Sequence, residues 1–147
     1  MDIHIIPMSE REIEGIVALE KECFSDPWSA PSLKEELANP NARFFAAVKN
    51  GEVLGYIGCI LVCGEGSITN VAVSEGARRQ GVASYLLEAL IKALKAENAE
   101  SIFLEVRTSN EAAQKLYEKF GFVICGERKD FYRNPLENAY IMKLSLN

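Results

Sequence analysis

The chain has 147 residues, of which 48% are hydrophobic and 25% charged, and its formal net charge is −5. That length and composition predict a single globular domain with a core of ordinary size. The acidic balance argues against gripping a nucleic-acid backbone, which needs a net basic face; it leaves room for a cationic substrate, or for an anionic cofactor held by one local basic turn.

Residues 2–7 (DIHIIP) read as a short strand. Ser9 and Glu12 then give the Ser-x-x-Glu pattern of a capping box. Ile13, Ile16, Val17 and Glu20 follow at helical spacing, so a first helix is predicted over residues 10–23. A proline-punctuated loop carrying Pro27-Trp28-Ser29 leads into a short helix over 30–38, which Asn39-Pro40 stops. Strands are predicted at 43–49 and 52–62, on either side of an Asn50-Gly51 hairpin signal. A turn at 63–67 (CGEGS) and a strand at 67–73 complete a meander.

Residues 82–97 are the strongest helix. Val82, Ala83, Leu86, Leu87, Leu90 and Leu94 form one apolar stripe, while Glu88, Lys92 and Lys95 face away. A strand over 101–107 (SIFLEVR) follows, then a helix over 110–120 with Ala112, Ala113, Leu116, Tyr117 and Phe120 on one face. Gly121 stands where a left-handed residue ends such a helix. Two last strands are predicted over 122–132 and 139–146. The order β-α-α-β-β-β-α-β-α-β-β predicts a mixed α/β architecture, with six or seven strands in one mixed sheet and helices on both faces.

No apolar run reaches the roughly 18 residues a membrane-spanning helix needs. The start, MDIHIIPMSE, lacks the basic opening and apolar stretch of a signal peptide, so the expected location is cytoplasmic. The four cysteines, Cys23, Cys59, Cys63 and Cys125, form no CxxC pair and sit among apolar neighbours, which predicts buried, reduced thiols. The one histidine, His4, lies in the first strand, which argues against a zinc site or a Cys-His nucleophile pair. No metal is expected.

The clearest chemical signal is the turn SEGARRQGVAS, residues 74–84, between the third meander strand and the strongest helix. The first turn of a helix has unpaired N–H donors and the positive end of the helix dipole. Such a junction binds anions. Gly81 lets the backbone approach a ligand closely, and Arg78 and Arg79 add charge. The pattern Arg-x-x-Gly-x-Ala is neither an ATP-type P-loop nor a dinucleotide fingerprint. An ordinary strand-to-helix turn with solvated arginines remains the plain alternative.

The segments NVAVSEGARRQGVASYLLEALI and IFLEVRTSNEAAQKLYEKFGF resemble the acyl-CoA-binding core of the GNAT superfamily of N-acetyltransferases. LEVRTSN, LYEKFGF, ERKDFY, the AYIMKL strand and Pro27-Trp28-Ser29 resemble its RimI branch, the ribosomal-protein alanine N-acetyltransferases. The resemblance implies that acetyl-CoA is the co-substrate. It implies that Arg78, Arg79, Gln80, Gly81, Val82, Ala83 and Ser84 cradle the pyrophosphate. Val71, Ala72 and Val73 would bind the pantetheine as an added strand, and Asn110 would bond the CoA arm. Ala83 stands where many relatives have glycine, and SEGA lacks the usual proline and aromatic residue.

Read by itself, Glu105 is a carboxylate in an apolar strand, on one face with Phe103 and Arg107. It is either an exposed or Arg107-paired glutamate or, with a desolvated and raised pKa, a general base. Tyr117 reads as a core tyrosine with a satisfied hydroxyl. The resemblance makes Glu105 the proton acceptor and Tyr117 the donor to the departing thiolate. Asn110 also suits a helix cap, with a Thr108–Glu111 capping box as its rival. Trp28, Phe131 and Tyr132 are candidates for the wall of a peptide groove. The implied acceptor is the N-terminal alanine of small-subunit ribosomal protein eighteen. Another protein N-terminus, a lysine or a small amine is the alternative within the enzyme class, and a non-catalytic acyl-CoA-binding module is the alternative outside it.

Overall fold

A computed structural model describes residues 2–78 and 80–146, so Arg79 lies outside the described residues. The elements are β1 (His4–Pro7), α1 (Ile13–Cys23), α2 (Ala30–Leu37), β2 (Ala42–Lys49), β3 (Glu52–Val62), β4 (Glu65–Val73), α3 (Val82–Ala96), β5 (Ser101–Arg107), α4 (Glu111–Lys119), β6 (Val123–Tyr132) and β7 (Glu137–Ser145). Short 3-10 turns at Glu10–Glu12 and Glu75–Ala77 precede α1 and α3. The seven strands form one sheet in the order β1-β2-β3-β4-β5-β7-β6. All pairs are antiparallel except β4–β5.

Strand alternation divides the core into two layers. Ala47, Ile57 and Val73 point to one face, where Val82, Leu86, Leu87, Leu90 and Leu94 of α3 and Tyr117 of α4 pack. Ala46, Tyr56 and Ala72 point to the other, under Ile16 and Leu19 of α1 and Leu33 of α2. The α3 stripe is thus the pattern read in the sequence. Ala112, placed on the buried face of the fourth helix, is instead exposed, because that helix covers only the sheet margin.

Both hairpins of the β2-β3-β4 meander turn on two left-handed residues, Asn50 (φ 51°) with Gly51 (φ 79°), and Cys63 (φ 52°) with Gly64 (φ 82°). This tight turn, whose twist matches the flanking strands, lets β4 begin at Glu65, two residues before the expected start at Ser67. It also corrects the expectation for the cysteines. Cys59 is buried and Cys23 partly so, but Cys63 sits exposed in the turn and Cys125 is exposed on the edge strand β6.

The sheet opens in its middle. β4 pairs with β5 only from Glu65–Ser67 to Ser101–Phe103. Just beyond, Gly58 faces Asn70 while Cys59 faces Ile68, so Thr69 is an extra, bulged residue. A bulge bends its strand and interrupts the ladder. From there β4 follows β3, while β5 continues to Arg107 paired with β7 alone. The wedge between them exposes strand edges that a closed sheet would consume.

Candidate active site

A cavity of about 370 Å³ fills that wedge. Glu105 enters it from β5, Tyr117 from α4, Asn70 and Val71 from β4, Glu20 from α1, Trp28 from the α1–α2 loop and Tyr132 from the end of β6. The alternation of β5 buries Ile102, Leu104 and Val106 on the α3 face and turns Glu105 to the opposite one. Tyr117 belongs to the α3-side layer. The carboxylate and the phenol therefore reach one opening from the two sides of the sheet.

Glu105 is paired, though not with Arg107. Its Oε2 lies 3.5 Å from Nε of Arg128 on β6, and its side chain is 29% exposed. Arg107 instead forms an ion pair with Glu137 at 3.1 Å and stacks 4.4 Å from the Tyr132 ring centroid. Tyr117 is buried against Phe122, with ring centroids 5.7 Å apart, and burial pushes its phenol up to about 12. Its hydroxyl has no hydrogen-bond partner among the described residues, so the expected satisfied core hydroxyl is not found. Tyr132 is likewise raised to about 12, by burial first and by the nearby Glu105 charge second. Phe131 does not line the cavity; it is exposed and packs edge-on against Tyr132, with centroids 5.0 Å apart.

Glu20 is the residue that the sequence reading missed as part of the site. It is only 1% exposed, yet it lies on the cavity wall. One carboxylate oxygen accepts from the Trp28 backbone N–H at 2.8 Å and the other from the Tyr56 hydroxyl at 2.6 Å. Tyr56 is fully buried, and burial drives its pKa far above the ordinary phenol value, with the Glu20 hydrogen bond next in importance. The signal was a glutamate at a core position of α1's apolar spacing, where an acidic side chain needs partners. Its partners lie far off in sequence or on a loop backbone.

The 74–84 turn sits beyond the far end of β4. Gly81 adopts φ 74° and ψ 18° as the residue that opens α3. Val82, Ala83 and Ser84 follow in the first turn of that helix, where N–H groups lack intrahelical partners. Arg78 folds back: its Nε donates to the Val73 carbonyl at 3.1 Å and its Nη2 lies 3.7 Å from the Cys23 sulfur. Gln80 donates to the Gly76 carbonyl at 3.4 Å. Backbone donors, more than these side chains, are what the junction offers an anion. Ala72 and Val73 do not line the cavity, whereas Val71 does.

Asn110 caps α4, accepting from the Ala113 N–H at 3.1 Å, and lines the cavity as well. The rival Thr108–Glu111 box does not form, because the Thr108 hydroxyl donates to Glu137 at 3.2 Å. Glu137 also accepts from the Ser109 N–H at 2.7 Å. Hydrogen bonds from Ser109 first, then from Arg107 and Thr108, hold its carboxyl down to about 2. A depressed carboxyl contributes stability that is present above its unfolded value and lost as pH falls through the folded one. Thermal unfolding followed from pH 5 to pH 2 should lose stability across that window, and Glu137→Gln should flatten the decline.

The acetyltransferase (GNAT) family model matches residues 13–122. The chain belongs to that family. Its GNAT relatives include a Haemophilus ducreyi protein named ribosomal protein bS18-alanine N-acetyltransferase, 34% identical over 93% of this chain and 96% of its own length. A Sulfurisphaera tokodaii N-alpha-acetyltransferase is 32% identical over 92% of this chain and 88% of its own. Among solved GNAT structures, the Escherichia coli ribosomal-protein-alanine N-acetyltransferase superposes with a TM-score of 0.91 at 28% identity, covering 99% of this chain and 95% of that one.

GNAT enzymes use acetyl-CoA, and the residues present fit that molecule. The α3 N-terminus and the left-handed Gly81 suit a diphosphate, the free edge of β4 suits an extended amide-bearing arm, and the wedge suits a thioester. A Cβ at Gly81 has room, since its nearest neighbour would be Tyr85 Cε2 at 4.0 Å. Gly81→Ala should therefore cost about 1–2 kcal/mol through its left-handed backbone alone, and should weaken CoA binding as the turn relaxes. Calorimetric titration with CoA and a melting curve check both effects.

Proposed function

We propose that this chain is an acetyl-CoA-dependent Nα-acetyltransferase of protein N-termini, with the N-terminal alanine of small-subunit ribosomal protein eighteen as its first candidate acceptor. The observation that carries the reading is the pair Glu105 and Tyr117, which meet at the sheet's opening from opposite faces. An acyl-CoA-binding module needs the helix junction but neither of these groups. The names of the Haemophilus relative and the Escherichia coli structure support the ribosomal acceptor. The archaeal relative, named only as an N-alpha-acetyltransferase, favours a second reading with other protein N-termini as acceptors. The cytoplasm, where ribosomes are, is the matching location.

Acetyl-CoA supplies an acetyl group activated as a thioester. Glu105 takes a proton from the incoming ammonium, which titrates near 7.7–8.0 in model peptides and so needs modest help. The freed amine then forms the N–C bond as the C–S bond breaks, and the second proton that the nitrogen sheds goes to the departing thiolate, giving the amide and the CoA thiol. Unpaired N–H groups along β4 near Val71 are the candidate donors to the carbonyl oxygen as its charge develops. Tyr117 faces the departing sulfur. Burial raises its phenol, so its proton is held more tightly than that of an ordinary thiol near 8.5. Tyr117 thus stabilises the thiolate by a hydrogen bond from its hydroxyl more readily than by giving up the proton outright. Trp28 and Tyr132 flank the approach of the peptide.

The test is acceptor choice. The protein is incubated with acetyl-CoA and an Ala-start peptide of the ribosomal protein, and in parallel with an N-terminally blocked lysine peptide and a polyamine. Mass gain at the α-amine is expected. Gain on the lysine or polyamine alone would discard the N-terminal reading, and no gain on any amine would leave the binding module.

A further inference from the structure

Asn70 is a polar residue on the wall of the wedge whose side chain makes no hydrogen bond among the described residues. Its Oδ1 is buried and has no hydrogen-bond partner among the described residues. Its Nδ2 makes no hydrogen bond among the described residues and, unlike Oδ1, is not sealed from solvent. Across the β3–β4 pair its neighbour is Gly58, which has no side chain, and the space over Gly58 is taken by the Phe44 ring, 2.7 Å from where a Cβ would stand. Two residues along the same face is Ala72, buried under α1. Neither Gly58 nor Ala72 offers the amide a polar side chain.

Sealing one end of an amide without a partner destabilises a fold, and an apolar residue of the same shape would avoid that loss. Asn70 is also where the Thr69 bulge re-aims β4, immediately after its pairing with β5 ends. Alternation beyond the bulge sets Asn70 with Ala72 on the α1 side, the side from which Glu105 and Trp28 enter the cavity. It is the opposite side from α3, whose N-terminus is the anion site.

Building on the N-terminal acetyltransferase reading, we propose that Asn70 is a specificity-determining residue: its Nδ2 donates to the carbonyl oxygen of the acceptor's first residue, holding the α-amine between Glu105 and the thioester. Only an amine followed at once by a peptide carbonyl can make this bond. A lysine side chain or an alkyl amine cannot.

Asn70→Leu, with Asn70→Ala as a second variant, tests the assignment against two acceptors: an Ala-start peptide, and the same peptide with its first carbonyl reduced to methylene. The wild type should favour the normal peptide over the reduced one by at least tenfold in kcat/KM. The variants should lose about tenfold on the normal peptide and nothing further on the reduced one. CoA affinity should be unchanged, and the melting temperature of Asn70→Leu should be equal or higher. Unchanged kcat/KM on the normal peptide overturns the proposal, as does an equal loss on both peptides or a fall in melting temperature that accounts for the lost activity. A wild type that acetylates lysine and no α-amine would sink the N-terminal reading first, and this assignment with it.

Discussion

Glu105→Gln should lower kcat on a peptide acceptor by about 100-fold or more, the usual scale for losing a positioned general base. The amide keeps the shape of the side chain and can still bond a water or an amine, but it cannot take a proton. CoA affinity should stay near that of the wild type, because Glu105 stands on the α1 side of the sheet and the proposed anion site is at the start of α3. The variant's rate should also climb as pH rises through the acceptor's own titration near 7.7–8.0, where the amine sheds its proton unaided. Turnover equal to the wild type at neutral pH would remove Glu105 from the mechanism. Loss of CoA binding in the variant would show that the two halves of the site are not separate as described. Arg128 forms the ion pair with Glu105, so Arg128→Ala provides a milder companion, altering how the carboxylate is held without removing it.

Glu20→Ala should give the largest loss of stability. The carboxyl is 1% exposed and both its oxygens are used. Its removal leaves the Tyr56 hydroxyl and the Trp28 N–H unpaired inside the protein, at about 1–3 kcal/mol each, and opens a void beside α1. A total near 3 kcal/mol would lower the melting temperature by roughly 6–12 °C in a chain of this size. Tyr56→Phe removes one donor, leaves Trp28 bonded and opens no comparable void, so it should cost less, although one Glu20 oxygen is then left buried without its partner. A functional consequence follows from the same bond. Trp28 lines the cavity we propose as the peptide approach, so Glu20→Ala should raise the acceptor KM below its melting temperature while CoA binding is retained. A variant as stable as the wild type would mean that water readily replaces Glu20 in both bonds.

These two residues mark the limit of what could be read in advance. Local rules decide the secondary structure, because helical spacing, the capping box at Ser9 and Glu12, and the Asn50-Gly51 turn act over a few residues. They also made Glu105 legible, since an acid in a strand of Ile, Phe, Leu and Val stands out. The start of β4, the exposure of Cys63 and Cys125, and the partner of Glu105 were not legible in this way. Cys63 is exposed because its turn is tighter than its composition suggested. Arg128 comes within reach of Glu105 only once β7 and β6 have been placed beside β5, and Arg107, on β5 itself, is taken by Glu137 of β7.

By itself the sequence determined the order of the elements, the apolar stripe of α3, the glycine-bearing junction before it and the candidate pair Glu105 and Tyr117. Each is written in neighbours one to four residues apart, and motif resemblance works at the same range. Only the tertiary structure decided that β4 and β5 part after three residue pairs, that Glu20 and Tyr56 meet across 36 positions, and that the Asn70 Oδ1 is buried without a partner among the described residues. Those facts depend on which strand edges remain unpaired and which polar groups end up buried together. Both are settled by packing over the whole sheet, where no local pattern reaches.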